Sequence, residues 1–528
     1  MTGHNAHQQT TDSSWYNAAV DLVDRNVDEG RGSRTAFIDP SGRLTYAELK
    51  ERTDRFANGL RGLGVGREQR VVLILLDTID FPVAFWGAVK AGAVAVPLNT
   101  LLTTDQWRYQ IDDSRAVAVV VSAGLMDRAA RMLDEIRETR PVHLIVAGGR
   151  ARPGTLDLAE VEAAADPETI PAPTHPDETA FWLYTSGSTG RPKAARHLHS
   201  SPRDTATLYG QGILGIEADD VIFSAAKLFF AYGLGNAMSF PMSVGATTVL
   251  LPDRPTPDSV IATIEAHQPT IFCGVPTLYA ALLASPALGK GIGSARLRAC
   301  ISAGEALPPD IAERWRETVG HDILDGIGST EMLHIFISNR PGDVRPGSSG
   351  KPVPGYEARI VDETGAETKT GDIGELTVKG PTAAEGYWNQ RERTRKTFVG
   401  EWTMTGDKYR MDEEGYFHYC GRADDMFKVG GIWCSPFEVE SALISHPAIL
   451  EAAVVGHPDL DGLIKPKAFV VLKPGHELSE RLGEALRGHV KAIAGPWKYP
   501  RWIEERTELP KTATGKIQRF KLRSDIAD

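Results

Sequence analysis

Apolar residues recur along this chain in two alternating patterns. RVVLILLD (70 to 77) is an unbroken apolar run, the mark of a strand buried on both faces of a parallel sheet. AVAVVVSA (116 to 123), FWLY (181 to 184) and TIFCGV (270 to 275) are of the same kind. Between such runs the apolar positions fall at helical spacing. In TYAELKERTDRFANGLRGLGVG (45 to 66), Leu49, Phe56, Leu60 and Leu63 share one face. Thr45 and Glu48 stand at capping-box spacing ahead of it, and Gly64 can end it. FPVAFWGAVKAGAVAVPL (81 to 98) is the most apolar long stretch. Lys90 and two prolines break it, so it predicts a buried helix and then a strand rather than a membrane span. The alternation predicts an α/β fold with parallel sheets.

A chain of 528 residues is too long for one core. The Pro-, Ala- and acid-rich stretch 150 to 178 predicts an exposed connection. After GRADDMFKVGG (421 to 431) the pattern changes. Ser435 and Glu438 form a second capping box with Pro436 at the first helical position. Val439, Ala442 and Leu443 give that helix an apolar face, and His446-Pro447 closes it. EAAVVGHPD, KAFVVLKPG, a helical stretch and a Lys/Arg-rich end complete a small α+β domain. The expected division is 1–423 and 424–528, with the boundary at Asp424.

The formal net charge of -11 argues against a nucleic-acid partner. The four cysteines form no CxxC pair and suit buried thiols in a reducing, cytoplasmic setting. His197 and His199 make an H-x-H without a third ligand signal, which favours packing over metal binding. The first 14 residues are polar and lack the pattern of a signal peptide. The sequence sets no oligomeric state.

YTSGSTGRPK (184 to 193) carries the first chemical signal. Gly187 and Gly190 allow backbone angles that turn N–H groups toward an anion. Thr185, Ser186, Ser188 and Thr189 add hydroxyl donors, and Lys193 adds a charge. Pro192 stands where a nucleotide P-loop has its second Gly, so this is a phosphate loop of another kind.

Five further stretches follow it: ISAGEALP (301 to 308), DGIGSTE (325 to 331), TGD (405 to 407), GRADDMFKVGG and PKTATGKIQR (510 to 519). Together, in this order, they resemble the adenylate-forming superfamily of acyl-CoA synthetases, luciferases and peptide-synthetase adenylation domains, over roughly residues 15 to 525. The resemblance implies a large adenylate-forming domain, a small mobile C-terminal domain, and joining of a carboxylate to AMP before transfer to a thiol. ATP, Mg²⁺ and coenzyme A are the implied cofactors. A free carboxylate is a poor acyl donor, and the mixed anhydride supplies AMP as a good leaving group.

By this resemblance the residues 185 to 190 and Lys193 hold the departing pyrophosphate. Thr185 and Glu331 contact Mg²⁺, and Thr330 binds the α-phosphate. Asp407 accepts from the ribose hydroxyls with Arg422 beside it. Gly304, Glu305, Ala306, Asp325, Gly326 and Ile327 line the adenine. Lys516 reaches the acyl carboxylate and α-phosphate, the small domain swings about Asp424, and Lys428, Gly430 and Gly431 approach the pantetheine. Two positions depart from the pattern: Ala194 replaces the Gly after the loop lysine, and Ile327 replaces an aromatic.

Amino-acid-activating members carry an acid after the aromatic of AAKLFFAYGLGN, where this chain has Ala231 and Tyr232. This argues against an amino-acid substrate with a free α-amine. The segment and GIGSTEMLHIFISNRPGDVRPGS (326 to 348) resemble the benzoate-CoA ligase branch. Small residues Ala231, Gly233, Ala303, Gly326 and Gly328 are expected to leave a slot for a flat ring, with Tyr232 and Ile335 as walls and His334 near the carboxylate or a ring substituent. The expected activity is an ATP-dependent aryl-CoA ligase. Other readings left open are a ligase for another small carboxylate, loading of a carrier-protein thiol, and a non-catalytic acid or nucleotide binder.

Overall fold

The structure is a computed structural model that describes residues 15–185, 191–423, 425–429, 432–459, 462–511 and 517–524. Two large sheets carry most of the chain. The first has seven strands in the order Leu156–Asp157, His143–Ala147, Ala118–Ser122, Arg70–Ile74, Val94–Pro97, Thr179–Thr185 and Lys193–Leu198. All neighbours are parallel except the last pair, in which the chain turns back on itself.

The second sheet has nine strands. Its parallel centre runs Ile323–Gly328, Ala299–Ser302, Ile271–Gly274, Val221–Ser224, Thr247–Val249 and Thr35–Asp39. The strand Thr35–Asp39 joins a partner more than 200 residues away, a pairing that no local pattern signals. A five-stranded antiparallel sheet follows, including Gly374–Lys379, Trp402–Met411 and Phe417–Arg422.

Beyond it, the hairpin Phe427–Val429/Ile432–Cys434 and the three-stranded sheet of Ile449–Pro458, Ile464–Leu472 and Trp502–Glu505 pack on the helices Pro436–Ile444 and Glu480–Ala494. Val439, Leu443, Val454, Val470, Leu486 and Val490 form a core of their own there. Among the described residues no helix is long and apolar enough to cross a membrane.

The helix Tyr46–Gly62 starts with the reciprocal Thr45–Glu48 box, and Leu49, Phe56 and Leu60 are fully buried. The apolar stretch resolves into the helix Asp80–Lys90 and the strand Val94–Pro97. Lys90 is itself buried, its ammonium bonded to Asp24 and, at 2.7 Å, to Asp54. Removing one member of such a buried cluster costs about 3–5 kcal/mol.

Two local expectations change. The box at Ser435 is half made: its hydroxyl accepts from Glu438 N at 3.2 Å, but the Glu438 carboxylate binds Lys498 at 2.5 Å instead. The stretch 150 to 178 is no bare connection. It holds the helix Leu158–Ala163, whose Glu162 takes Arg52 of the Tyr46–Gly62 helix at 2.8 Å.

Candidate active site

The strand Thr179–Thr185 delivers the Ser/Gly loop and Lys193–Leu198 returns from it, with Thr185 and Lys193 facing each other in register. Ser186, Gly187, Ser188, Thr189 and Gly190 lie outside the described residues. The helix Thr104–Ser114 holds both flanks. Tyr109 donates to Pro192 O at 3.4 Å, and the Tyr184 hydroxyl donates to the Asp113 carboxylate at 2.7 Å.

Lys193 points at Glu331, 3.2 Å away, and both meet the hydroxyl of Tyr387. Burial pushes the Glu331 carboxyl up, but Lys193 and the Tyr387 hydrogen bond outweigh it and hold the group below the ordinary carboxylate range. Thr330 and Glu331 sit in a single 3₁₀ turn, Thr330–Met332, capped by the Ser329 hydroxyl on Met332 N at 3.2 Å. His197 is fully buried behind this pair, stacked on Phe181 at 5.1 Å, and burial pushes it down to about 4. It is a neutral packing residue in that setting. His199 accepts from Ala18 N at 3.2 Å.

Asp407 and Arg422 are register partners on adjacent strands, and Arg422 Nη1 donates to Asp407 Oδ1 at 3.1 Å. Gly406 has φ of +72°, so the turn into Asp407 uses backbone that favours glycine. Gly304, also left-handed at +96°, leads Glu305 and Ala306 off the strand Ala299–Ser302. Asp325 is buried and its Oδ1 has no hydrogen-bond partner among the described residues. Burial pushes its carboxyl well up.

Thr185, Lys193, Gly304, Glu305, Ala306, Gly326, Ile327, Gly328, Thr330, Glu331, Asp407 and Arg422 all line one cleft of about 1200 Å³. Tyr387, Tyr409 and Tyr419 line it as well and carried no signal in the sequence reading.

Of the residues expected to form the acyl slot, Gly326 and Gly328 are on that lining, while Ala231, Tyr232, Gly233, Ala303, His334 and Ile335 are not. The Tyr232 hydroxyl donates to Gly274 O and Ile301 O, both at 3.1 Å, so its ring is fixed. His334 is buried and stacks on that ring at 5.6 Å. Its Nε2 lies 3.3 Å from Tyr232 O. A carbonyl only accepts, so Nε2 carries the proton and Nδ1 is a bare acceptor, with no partner among the described residues. Burial pushes His334 down to about 3. Ile335 and Ala303 are buried nearby, Ala231 is half-buried, and Phe229 is core.

The glycines do not leave the expected slot. A Cβ on Gly233 would lie 2.1 Å from Lys227 O, on Gly326 2.8 Å from Ile337 O, and on Gly328 2.5 Å from His334 O. Backbone already fills those spaces, so these glycines permit close chain approach instead of opening a cavity.

Lys516 lies outside the described residues, as do Asp424, Gly430 and Gly431. The flanks of Lys516 are placed. Lys511 pairs with Ile517 as an antiparallel bridge, and Gln518 N donates to Pro510 O at 2.8 Å. Lys511, Ile517, Gln518 and Arg519 all line the same cleft. Lys511 is tied to Glu451 at 2.6 Å, and Arg519 grips Glu440 with two bonds of 2.9 and 2.7 Å. Lys428 is exposed on the strand Phe427–Val429, off the cleft lining.

Known proteins resemble this chain in sequence and fold. Residues 23–388 match the AMP-binding enzyme family and residues 438–516 its C-terminal domain. A benzoate–CoA ligase of Thauera aromatica is 56% identical over 511 residues, 96% of each chain. A 4-hydroxybenzoate–CoA/benzoate–CoA ligase of Rhodopseudomonas palustris is 53% identical over 512 residues, 96% of this chain and 94% of the relative. The crystal structure of a benzoate CoA ligase from Burkholderia xenovorans superposes with a TM-score of 0.89 at 50% identity, covering 96% of this chain and all of that one. An anthranilate CoA ligase in complex with anthranoyl-AMP gives 0.92 at 44% identity, over 97% and 98% of the two chains. Two matched family regions spanning most of the chain, and relatives this similar over nearly its full length, make one conclusion plain: this chain belongs to the AMP-binding enzymes.

Proposed function

We propose that this protein is an AMP-forming aryl-CoA ligase that converts benzoate or a close analogue to its CoA thioester. The observation that carries the reading is the convergence of Lys193, Glu331, Asp407 and Arg422 on one cleft; the segment of Ala231 and Tyr232 has no acid to pair with a substrate amine. Relatives more than half identical over 96% of the chain are ligases for benzoate and 4-hydroxybenzoate.

In the first step a carboxylate oxygen of the aryl acid attacks the α-phosphorus of ATP. The bond to the bridging oxygen breaks and pyrophosphate leaves. Lys193 and the loop N–H groups receive the charge that moves onto the leaving group. Thr330 binds the α-phosphate, Asp407 and Arg422 orient the ribose, and Gly304 to Ala306 with Gly326 and Ile327 line the base. Asp325, expected at the base, is buried and off the cleft lining.

The Thr185 hydroxyl and the ionised Glu331 are hard oxygen donors that would suit Mg²⁺. Mg²⁺, when bound, neutralises the polyphosphate. In the second step the CoA sulfur, as thiolate, attacks the acyl carbon and AMP leaves.

Lys516 belongs to the first step, at the acyl carboxylate and α-phosphate. Its flanking residues Lys511, Ile517 and Gln518 line the cleft, which supports this reading. A small domain, 424–528, hinged at Asp424 would withdraw it and bring Lys428, Gly430 and Gly431 toward the pantetheine. Four unpaired, buried cysteines suit a cytoplasmic enzyme of aromatic-acid metabolism.

The test is CoA-dependent AMP formation with Mg²⁺ across benzoate, hydroxy-, amino- and halobenzoates, cinnamate, acetate and octanoate. Selective turnover of benzoates is expected. Preference for octanoate or acetate would keep the ligase chemistry and overturn the acyl-wall assignment. Absence of AMP and pyrophosphate with every acid would overturn the reading altogether.

A further inference from the structure

Tyr387 is the group through which the two opposite charges of the cleft meet. Lys193 Nζ donates to its hydroxyl at 2.6 Å, and the hydroxyl donates to Glu331 Oε1 at 2.7 Å. The direction is fixed, because an ammonium has only donors and an ionised carboxylate only acceptors. The direct Lys193–Glu331 contact is longer, at 3.2 Å. Charge-assisted bonds of this type close to about 2.7–2.9 Å when nothing intervenes. The hydroxyl is therefore the preferred partner of each ion.

The position of this hydroxyl is set by backbone on two sides. Arg196 N donates to Gly386 O at 3.1 Å and Trp388 N to Ala194 O at 2.9 Å, which stitches the segment to the strand that carries Lys193. Ala384 N donates to Glu331 O at 2.8 Å, which stitches it to the turn that carries Glu331. The ring packs on Phe398 at 5.5 Å and is 4% exposed at the residue level. Lys193 also lies over its face at 4.1 Å. The hydroxyl is held by the fold and does not depend on either ion for its place.

We infer that Tyr387 is a positioning residue that spaces Lys193 from Glu331 and so keeps the lysine available to an incoming polyphosphate. Without the hydroxyl the two ions would close into a direct pair, and an anionic ligand would have to break it. With the hydroxyl in place, Lys193 turns to the phosphate while Glu331 keeps one donor. The inference rests on the proposed ATP site, and the test separates the two.

The experiment measures binding of a non-hydrolysable ATP analogue by calorimetry in EDTA, for the parent, Tyr387→Phe, Lys193→Met and the double variant. Phe keeps the ring packing and the face beneath Lys193, so melting temperatures should match the parent within experimental scatter. Tyr387→Phe is expected to bind the analogue about tenfold more weakly, as for loss of one hydrogen bond to a charged group. The double variant should bind no more weakly than Lys193→Met alone, because the hydroxyl acts through that lysine. Binding by Tyr387→Phe within twofold of the parent, or additive losses in the double variant, overturns the spacer role. Unchanged binding by Lys193→Met overturns the polyphosphate site itself.

Discussion

Replacing Asp407 by Ala tests the ribose assignment quantitatively. Two losses must be separated. The first is the contact with Arg422 at 3.1 Å, whose guanidinium side chain is 48% exposed. A pair that wet contributes at most about 1 kcal/mol. The second is the proposed pair of hydrogen bonds from the ribose hydroxyls to a carboxylate that is 13% exposed. Bonds to a charged group contribute about 1.5–3 kcal/mol each, so two would contribute about 3–6 kcal/mol, or roughly 10²–10⁴ in kcat/KM for ATP. Because the carboxylate already serves Arg422, the lower half of that range is expected.

The assay is pyrophosphate release with benzoate in the absence of CoA. ATP is compared with 2′,3′-dideoxy-ATP for the parent and the variant. The parent should lose at least about a hundredfold on moving to the dideoxy nucleotide, the same bonds being removed from the other side. Asp407→Ala should lose less than about threefold, because the partner of those hydroxyls is already gone. Equal discrimination by parent and variant would refute the placement of Asp407 at the ribose, whatever the absolute rates.

Two further outcomes follow from single residues. Lys516→Ala should slow adenylation by about 10²–10³, the usual cost of a lost donor to developing charge, yet retain thioester formation from supplied benzoyl-adenylate. Equal loss of both half-reactions would count against a lysine withdrawn by domain rotation. Asp77 is 3% exposed, and burial lifts its carboxyl to about 6 against the pull of Lys227 and the Leu228 N–H. The folded chain binds this proton more tightly than the unfolded chain does, so the stability it contributes is present below about pH 4 and lost as pH rises through about 6. Asp77→Asn should therefore gain up to about 3 kcal/mol relative to the parent between pH 4 and 8 in urea titrations, and a difference that stays flat with pH would refute it.

Some strands of each parallel sheet are legible because burial on two faces leaves an unbroken apolar run, as in Arg70–Ile74 of one and Ile271–Gly274 of the other. Helix starts were legible where the cap is local, as at Thr45. Readings failed where a distant residue took over. Glu438 has the spacing of a capping box, yet Lys498, sixty positions on, claims its carboxylate. The acidic stretch near Glu162 looked like exposed chain because its partner, Arg52, stands 110 residues earlier. Charge that reads as solvated in one dimension becomes paired in three.

The site divides in the same way. Lys193, Glu331, Asp407 and Arg422 stand in compact sequence motifs, and all four line the cleft. Tyr387 gave no such signal, since its role arises from pairing across strands far apart in sequence. The glycines were noticed for the wrong property. Gly326 and Gly328 lie on the strand Ile323–Gly328, which pairs antiparallel with Ile335–Ser338. Their missing side chains let the two backbones close to within van der Waals contact of each other, at Ile337 O and His334 O. The connection between those strands is the stretch 329 to 334. It carries Thr330 and Glu331 at its tip and His334 at its return. A side chain at either glycine would part the strands and move Thr330, Glu331 and His334 together. Small size at these positions therefore serves register between the two strands.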